Sequence, residues 1–400
     1  MKDLKIFTEN IEKEALEQIH TLLDQEAFKN ARVRIMPDVH AGKGCVIGFT
    51  ADLGEKVVPN LIGVDIGCGL LTTNLGKVEI DLEKLDDVIR KYIPSGFNVH
   101  EGRITKFELS KLKCYRELKD TKRLERSLGS LGGGNHFIEV GIDDDGNKSL
   151  VIHTGSRNLG KQVAEYYQNL ADGICNYNKA EFNKEKEALI KEYKEQGRRA
   201  ELKEVVKELS KKYKTSDNKI PRDLAYLEGI YREDYLHDMK ICQEFAVQNR
   251  QAIANIILKH MNLTEVDSFE TIHNYIDIND NIVRKGAISA KKDELLLIPI
   301  NMRDGCIIGK GKGNNDWNNS APHGAGRLMS RRKAKETLIF EDFKNSMEGI
   351  YSTSISKDTL DEAPFVYKPM EEIINNINDT VDIIKIIKPI YNFKAGDKTD

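Results

Sequence analysis

The chain has 400 residues, 40% of them hydrophobic, so it is long enough to bury a large core in one elaborate domain or in two simpler ones. Its 61 Lys and Arg residues nearly balance 64 Asp and Glu residues, and the net charge of −3 excludes a protein coated in positive potential. Any polyanionic partner must therefore meet a local basic patch.

Two further absences in the sequence narrow the class of protein. No apolar run approaches the roughly 20 residues that span a bilayer, and the start MKDLKIFTEN lacks the apolar segment of a signal peptide. We therefore expect a cytoplasmic protein with no membrane partner. The six cysteines are scattered and form no C-x-x-C pair, which predicts reduced thiols and not a disulfide framework.

The N-terminal part predicts a helix followed by short strands. Residues 10–28 carry apolar side chains at helical spacing, and residues 32–38 form a β-like run that leads into the loop MPDVHAGKG. From 45 to 76, short apolar runs alternate with Gly, Pro and Asn, as in buried strands separated by tight turns. The segments SLGGGNHFIEVG and SLVIHTGSRNLG flank the acidic turn DDDGN, which predicts a hairpin whose ends both carry a histidine.

The middle of the chain differs in composition. Residues from about 161 to 260 are rich in Lys and Glu with helical periodicity, and the stretch from 185 to 214 predicts a solvated helical hairpin that turns near Gly197. After residue 270 the glycine-rich β pattern returns. Because the two flanking parts share one pattern, we expect an α+β fold of mixed sheets and helices, in which residues 1–400 form one domain and the helical segment is an insertion.

Metal-ligand residue types occur in loop-like contexts. Asp65 and Cys68 place a carboxylate and a thiol one turn apart, and both are ligand types for borderline first-row metals. The alternative is a buried Cys in a turn. The flanking glycines predict backbone conformations or close approaches that side chains would obstruct. Histidines in loop-like contexts, each of which alone is more often structural than a ligand, are His40, His136, His153, His273 and His323.

The segment PHGAGR predicts a phosphate site. It places His323 before two glycines and Arg327, and a basic stretch follows. Imidazole is a competent nucleophile toward phosphorus, Arg donors match phosphate oxygens, and glycines leave room for a nucleotide. An ordinary turn before a basic helix is the alternative. Neither GKGKGN at 309–314 nor LGGGN at 131–135 has the Walker spacing, which disfavours a P-loop.

Together these blocks resemble the RtcB family of RNA ligases over nearly the whole chain outside the charged hairpin. In the order of the family, the motifs are MPDVHAGKG, GVDIGCG, GGGNHFIEV, HTGSRNLG, HNY, KGAISA, APHGAGRLMSR and DEAPFVYKP. A series of blocks in one order is far more specific than a single glycine loop. The resemblance implies a divergent bacterial enzyme that joins RNA with a 3′-phosphate or 2′,3′-cyclic phosphate end to RNA with a 5′-hydroxyl end, in RNA repair or tRNA splicing.

The resemblance also implies a centre with two Mn²⁺ ions per chain, for which Zn²⁺ or Co²⁺ can substitute. Cys68 would bridge the two ions. Asp65 and His136 would complete one site, and His153 and His273 the other. An activating protein factor is a further candidate partner.

GTP is the second implied cofactor, and His323 would attack its α-phosphate and become attached to GMP. The residues that the resemblance assigns to nucleotide binding are Asn135, Glu139, Asn274, Pro299, Met302, Cys306, Gly324, Tyr367 and Lys394. Two matches depart from the family pattern. Ala395 separates Lys394 from the closing glycine, and Cys306 stands where a guanine-contacting Ser is usual.

Three basic residues, Arg157, Arg327 and Lys312, are candidates for binding phosphates.

A dinuclear metal-dependent phosphoesterase is the main alternative to an RNA ligase, since the same ligands suit hydrolysis by a metal-bound hydroxide. That alternative leaves His323 and the guanine contacts unexplained. A noncatalytic RNA-binding protein would predict loss of the ligands, yet all five ligands and His323 are present.

Overall fold

The computed structural model describes residues 3–176, 179–198, 201–212 and 220–395, and within these ranges it confirms a mixture of helices and sheets. The described α-helices are α1 (Lys13–Leu23), α2 (Leu82–Tyr92), α3 (Thr121–Arg126), α4 (Arg157–Asn176), α5 (Lys179–Glu195), α6 (Leu202–Lys212), α7 (Gly229–Met261), α8 (Arg331–Thr337), α9 (Phe340–Ser346) and α10 (Met370–Ile377). The described strands are β1 (Asp3–Ile6), β2 (Arg32–His40), β3 (Ile47–Asp52), β4 (Gly69–Gly76), β5 (Phe137–Ile142), β6 (Lys148–Thr154), β7 (Asp267–Ile272), β8 (Asn274–Asp277), β9 (Ile282–Lys285), β10 (Ala287–Ser289), β11 (Leu295–Asn301), β12 (Gly305–Gly311), β13 (Ser320–Pro322) and β14 (Val381–Lys394).

The larger sheet has the strand order β11-β12-β14-β5-β6-β4-β7, with every neighbouring pair antiparallel. Strands β5 and β6 form the predicted hairpin, in which Phe137 pairs with His153. His136 directly precedes β5, so both histidines lie at the same end of the hairpin. The hairpin prediction is therefore confirmed.

The second sheet has the order β1-β2-β3-β9-β8, and β1 and β2 are parallel. Between Ile35 and His40 the pairing of β2 with β3 changes register, which marks an irregular stretch of backbone in β2. A separate two-stranded ladder pairs β10 with β13 and joins Ala287 to Pro322. This ladder fixes the start of the segment that carries His323.

The long helix α7 connects two hydrophobic cores. Its C-terminal half contributes Ile253 and Ile257 to a core with the β5–β6 hairpin and α2. Its N-terminal half contributes Met239 and Phe245 to a core with α1, α4 and the second, five-stranded sheet. The apolar residues of α7 thus pack against both sheets and position the sheets relative to each other. Burial of apolar surface is the dominant favourable term in folding, so it stabilises this arrangement.

The charged segment contains helices α5 and α6, and Gly197 in the turn between them has φ of +71°. The predicted helical character is confirmed for these ranges, while residues 177–178, 199–200 and 213–219 lie outside the described part, as does Gly396. That this segment is an insertion into one domain stays a prediction.

Among the helices described here, none has the length and apolarity needed to cross a bilayer.

Candidate active site

A buried cluster of Cys68, His136 and His153 lies at one end of the larger sheet. Cys68 directly precedes β4, His136 directly precedes β5, and His153 lies near the end of β6. The Cys68 Sγ atom is 3.4 Å from His136 Nε2 and 3.3 Å from His153 Nε2. Thiolate and imidazole are preferred ligands of Zn²⁺ and other first-row metals, so this group could hold a metal ion.

Asp65 and His273 extend the cluster at its two ends. The Asp65 Oδ2 atom lies 2.9 Å from His136 Nε2, and His273 Nε2 lies 3.4 Å from His153 Nε2. The structure therefore brings the five predicted ligands into one continuous group, in which Cys68 is central. Their assignment as ligands of two ions stays a prediction.

The electrostatics of the cluster suit a cation. Burial lowers the pKa of both His153 and His273 well below the ordinary value, so both imidazoles are neutral and each has one nitrogen with a lone pair. The Nδ1 atom of His153 lies 3.1 Å from the carbonyl oxygen of Asn135, which fixes Nε2 as the nitrogen that faces the cluster. Asp65 Oδ1 is buried without a partner in the described residues. This donor set fits a metal centre.

The loop that carries Cys68 depends on glycine and on a buried arginine. Gly67 has φ of +73°, and a Cβ added at Gly69 would lie 2.6 Å from the Thr271 carbonyl oxygen. The prediction that these glycines allow special conformations and close approaches is confirmed. Arg250 of α7 is fully buried and donates from Nη1 to the Gly67 carbonyl oxygen at 2.9 Å. Nothing in the sequence pattern had singled out Arg250.

A cavity of about 320 Å³ lies beside the cluster, and His153 and His323 both line it. This volume is within the range of ligand sites. Of the residues predicted to bind the nucleotide, those that line the cavity are Asn135, Glu139, Pro299, Met302, Cys306, Gly324, Tyr367 and Lys394. Asn274 lies outside this set. Its Oδ1 atom accepts the Gly286 N–H at 2.9 Å, so its predicted nucleotide contact stays a prediction.

His323 is held by Asp38, a residue of β2. The Asp38 Oδ2 atom lies 2.6 Å from His323 Nδ1 and also accepts the backbone N–H of His323 at 3.0 Å. Because Nδ1 faces a carboxylate acceptor, the neutral ring would carry its proton on Nδ1 and leave the lone pair on Nε2. His40, at the end of β2, lines the same cavity, and burial lowers its pKa to about 4. Sequence reasoning missed Asp38, although it lies in the motif MPDVHAGKG.

Glu139, Asn392 and Cys306 form one wall of the cavity. The Asn392 Nδ2 atom donates to Glu139 Oε2 at 2.8 Å, and the Cys306 thiol donates to Glu139 Oε1 at 3.4 Å. Burial raises the pKa of Glu139 to about 7, although these hydrogen bonds act in the opposite direction. Sequence reasoning missed Asn392 because no motif includes it.

Glu362 organises the cationic side of the cavity. Burial acts to raise its pKa, but the nearby charges of Lys394 and Arg331 outweigh that effect and lower it to about 2. The Tyr367 hydroxyl donates to Glu362 Oε2 at 2.6 Å, and Lys394 forms an ion pair with the same oxygen. Arg327 lies with its guanidinium 5.2 Å from the Tyr367 ring centroid. Glu362 lies in the motif DEAPFVYKP, which was the only sequence signal for it.

A second cavity, of about 380 Å³, also borders the cluster and is lined by Asp65 and His136. Its basic lining residues are Arg123, Arg157 and Lys161. Burial lowers the pKa of Arg157 to about 10, which still leaves its guanidinium charged near neutral pH. The second cavity is therefore lined both by positively charged side chains and by candidate metal ligands.

Lys312, the third predicted phosphate contact, lies elsewhere. Its Nζ atom is 2.5 Å from the Asn378 carbonyl oxygen and 3.1 Å from Asp382 Oδ1. It is not among the residues that line either cavity of the described structure. The structure does not bring Lys312 together with the other predicted residues, and its assignment as a phosphate contact gains no support.

A family model described as tRNA-splicing ligase RtcB matches residues 25–122 and 109–395. These ranges contain every residue of the cluster and of both cavities. The chain therefore belongs to the RtcB family of RNA ligases, as its motifs predicted.

Individual relatives agree over nearly the full length. The chain is 28% identical to the RNA-splicing ligase RtcB of Escherichia coli K12, with 98% of this chain and 97% of the relative covered. It is 27% identical to the tRNA-splicing ligase RtcB of Archaeoglobus fulgidus, with 92% and 88% covered. It is 25% identical to the tRNA-splicing ligase RtcB of Methanococcus maripaludis, with 96% and 92% covered.

Proposed function

We propose that this chain is a GTP-dependent RNA ligase that joins a 3′-phosphate or 2′,3′-cyclic phosphate end to a 5′-hydroxyl end through GMP attached to His323. The observation that carries the proposal is the arrangement of His323. Its Nδ1 atom is held by the buried carboxylate of Asp38, and its ring lies 5.0 Å, between centroids, from the ring of His273. A nucleophile thus stands in a cavity that borders the candidate metal ligands.

In the first step His323 Nε2 attacks the α-phosphate of GTP. A nitrogen–phosphorus bond forms while the bond to the bridging oxygen of pyrophosphate breaks, and pyrophosphate leaves. The neutral imidazole is the attacking form, and in it Asp38 holds the proton on Nδ1 and leaves Nε2 unprotonated. The same carboxylate stabilises the positive charge that develops on the ring as the bond forms.

Cys68, Asp65, His136, His153 and His273 would hold two Mn²⁺ ions, with Zn²⁺ or Co²⁺ as substitutes. Cys68 would serve both ions, Asp65 and His136 one of them, and His153 and His273 the other. Bound metal ions would neutralise phosphate charge and assist ionisation of the attacking hydroxyl. The neutral imidazoles and the unpartnered Asp65 oxygen support this assignment.

GTP is the favoured nucleotide because the cavity wall presents a carboxylate. An ionised Glu139 can accept the N–H groups on the Watson–Crick edge of guanine, an edge that adenine does not offer in the same pattern. The proposed cationic contacts are Lys394 and Arg327, which line the same cavity.

In the later steps GMP passes from His323 to the RNA 3′-phosphate, and the 5′-hydroxyl then attacks that phosphate with GMP as the leaving group. A cyclic phosphate end is first hydrolysed to the 3′-phosphate. We assign the RNA to the second cavity, because Arg123, Arg157 and Lys161 can neutralise its backbone next to Asp65. The physiological reaction would be RNA repair or tRNA splicing; the name of the Archaeoglobus fulgidus relative gives tRNA splicing, and that of the Escherichia coli relative gives RNA splicing.

The test is to incubate the purified, manganese-loaded protein with GTP labelled at the α-phosphate and with the two RNA ends. We expect label on the protein before RNA is added and a joined RNA that requires GTP. A phosphoesterase would instead release inorganic phosphate from the 3′-end without GTP and without protein labelling, and that result would overturn the proposal.

A further inference from the structure

Asn392 is a buried polar residue in the nucleotide cavity to which the resemblance assigns no role. It lies directly opposite Glu139 in the antiparallel pairing of β14 with β5, and directly opposed residues of such a pair project from the same face of the sheet. Both residues line the cavity, and Asn392 is only 1% exposed. A buried amide at this position needs a partner for its donors and for its acceptor.

Only one side of the Asn392 amide is satisfied. Its Nδ2 atom donates to Glu139 Oε2 at 2.8 Å, whereas its Oδ1 atom is buried and has no partner among the described residues. Rotating the amide by 180° would set Oδ1 against the carboxylate oxygen, so the contact with Glu139 fixes the orientation. Asn392 Oδ1 is therefore a hydrogen-bond acceptor without a partner, next to the Glu139 carboxylate.

We propose that Asn392 is a specificity-determining residue that selects guanine through its exocyclic 2-amino group. The Oδ1 atom accepts one N–H of that group, while Glu139 accepts the ring N1–H and the second amino proton. The inference rests on the proposed function in one respect, which is that the cavity binds a guanine nucleotide.

The chemical consequence is discrimination against hypoxanthine. Hypoxanthine differs from guanine only in lacking the 2-amino group, so it can still donate N1–H to Glu139. With hypoxanthine bound, Glu139 would lose the amino proton, and Asn392 Oδ1 would stay buried and unpaired, which is costly for a polar group removed from water. We therefore expect GTP to bind at least about tenfold more tightly than ITP.

The experiment measures equilibrium binding of GTP and ITP to the full chain by calorimetry. Three proteins are compared: the unaltered chain, Asn392→Ala and Cys306→Ala. Cys306→Ala is the matched comparison, because it also removes a donor to Glu139, from the thiol 3.4 Å from Oε1, yet leaves the Asn392 oxygen in place. Cys306 lines the same cavity, so this variant is expected to weaken binding of GTP and ITP alike, and only the ratio of the two affinities is compared. We expect the GTP-to-ITP affinity ratio to fall about tenfold in Asn392→Ala and to stay within about twofold of the unaltered value in Cys306→Ala.

Several outcomes would overturn the inference. An unaltered protein that binds GTP and ITP within about twofold of each other contradicts it without any variant. An equal loss of the ratio in Cys306→Ala and Asn392→Ala would show that Asn392 acts only by holding Glu139. These outcomes leave the proposed function standing, whereas a folded, unaltered protein that binds no GTP would overturn the proposed function and this inference together.

Discussion

The Asp38 carboxylate and the His323 imidazole are joined across 285 residues of sequence, with Oδ2 and Nδ1 2.6 Å apart. The same oxygen accepts the backbone N–H groups of His323 and Gly324, at 3.0 and 3.2 Å. Asp38 is fully buried, so β2 fixes both the backbone and the ring of the segment PHGAGR. The ring is held by structure that lies far from it in the chain.

Asp38→Asn should slow attachment of GMP by about 10²- to 10⁴-fold. An amide donor opposite Nδ1 would favour the tautomer whose proton is on Nε2, the nitrogen that must attack. The measurement is the rate of protein labelling by GTP, with metal content by elemental analysis as the control, because Asp38 is outside the Cys/His cluster. A labelling rate within about threefold of the unaltered protein would contradict the assigned tautomer.

The pKa of Glu139 predicts a pH dependence for GTP binding. Burial raises this pKa from 4.5 to about 7, so below pH 7 the free protein holds the proton and loses the ionised acceptor for guanine. GTP affinity should therefore fall by up to about tenfold for each pH unit below 7. Because the pKa of Glu139 is higher in the folded protein than in the unfolded chain, the nucleotide-free protein loses stability as pH rises from 4.5 to about 7.

The control for this prediction is Glu139→Gln, measured over the same pH range. Glutamine does not titrate, while the phosphates of GTP titrate equally with both proteins, so the difference between the two profiles isolates Glu139. Two profiles with the same slope would contradict the prediction.

Cys68→Ala should leave the fold largely intact but remove metal binding. The thiol lies 3.4 Å or less from His136 and His153 nitrogens and is proposed to serve both ions, whereas a structural Cys replaced by Ala would cost only modest stability. Metal stoichiometry and circular dichroism are the two measurements. Two manganese or zinc ions per chain at unchanged affinity would contradict the bridging assignment.

Deletion of residues 183–213, with a short Gly/Ser splice, should spare attachment of GMP. The described residues of α5 and α6 line neither cavity, and their Lys- and Glu-rich pattern is that of a solvated face. Joining of RNA is the separate readout, because the charged segment could contact the longer substrate. A folded, metal-replete deletion protein that no longer accepts GMP would show that the segment helps to build the nucleotide site.

The sequence predicted the elements whose signals are local. Periodicity indicated the helices, and alternating apolar runs around DDDGN indicated the β5–β6 hairpin with its histidines. The residues that complete the site gave no such signal. Asn392 meets Glu139 from 253 residues away, and it does so through the register of two strands that no local pattern specifies.

The same limit explains why the sequence did not indicate the roles of Asp38 and Glu362. Each lies inside a motif that identified the family, but their roles depend on contacts with His323, Tyr367 and Lys394, which the folded chain brings together. Residue types and spacing can nominate a nucleophile. They do not reveal which buried carboxylate orients it, nor that Lys312 is turned toward Asp382.

The central claim is that His323 carries GMP, and His323→Ala tests it most directly by separating the steps. The variant should lose labelling by GTP and joining of a 3′-phosphate end, yet still bind metal and join RNA whose 3′-phosphate was guanylylated beforehand, because only the first transfers use the imidazole. The measurement is joining of this preactivated RNA beside protein labelling. Undiminished labelling of the variant would contradict the account, since the nucleophile would then be another residue, and failure with preactivated RNA would give His323 a part in the final attack as well.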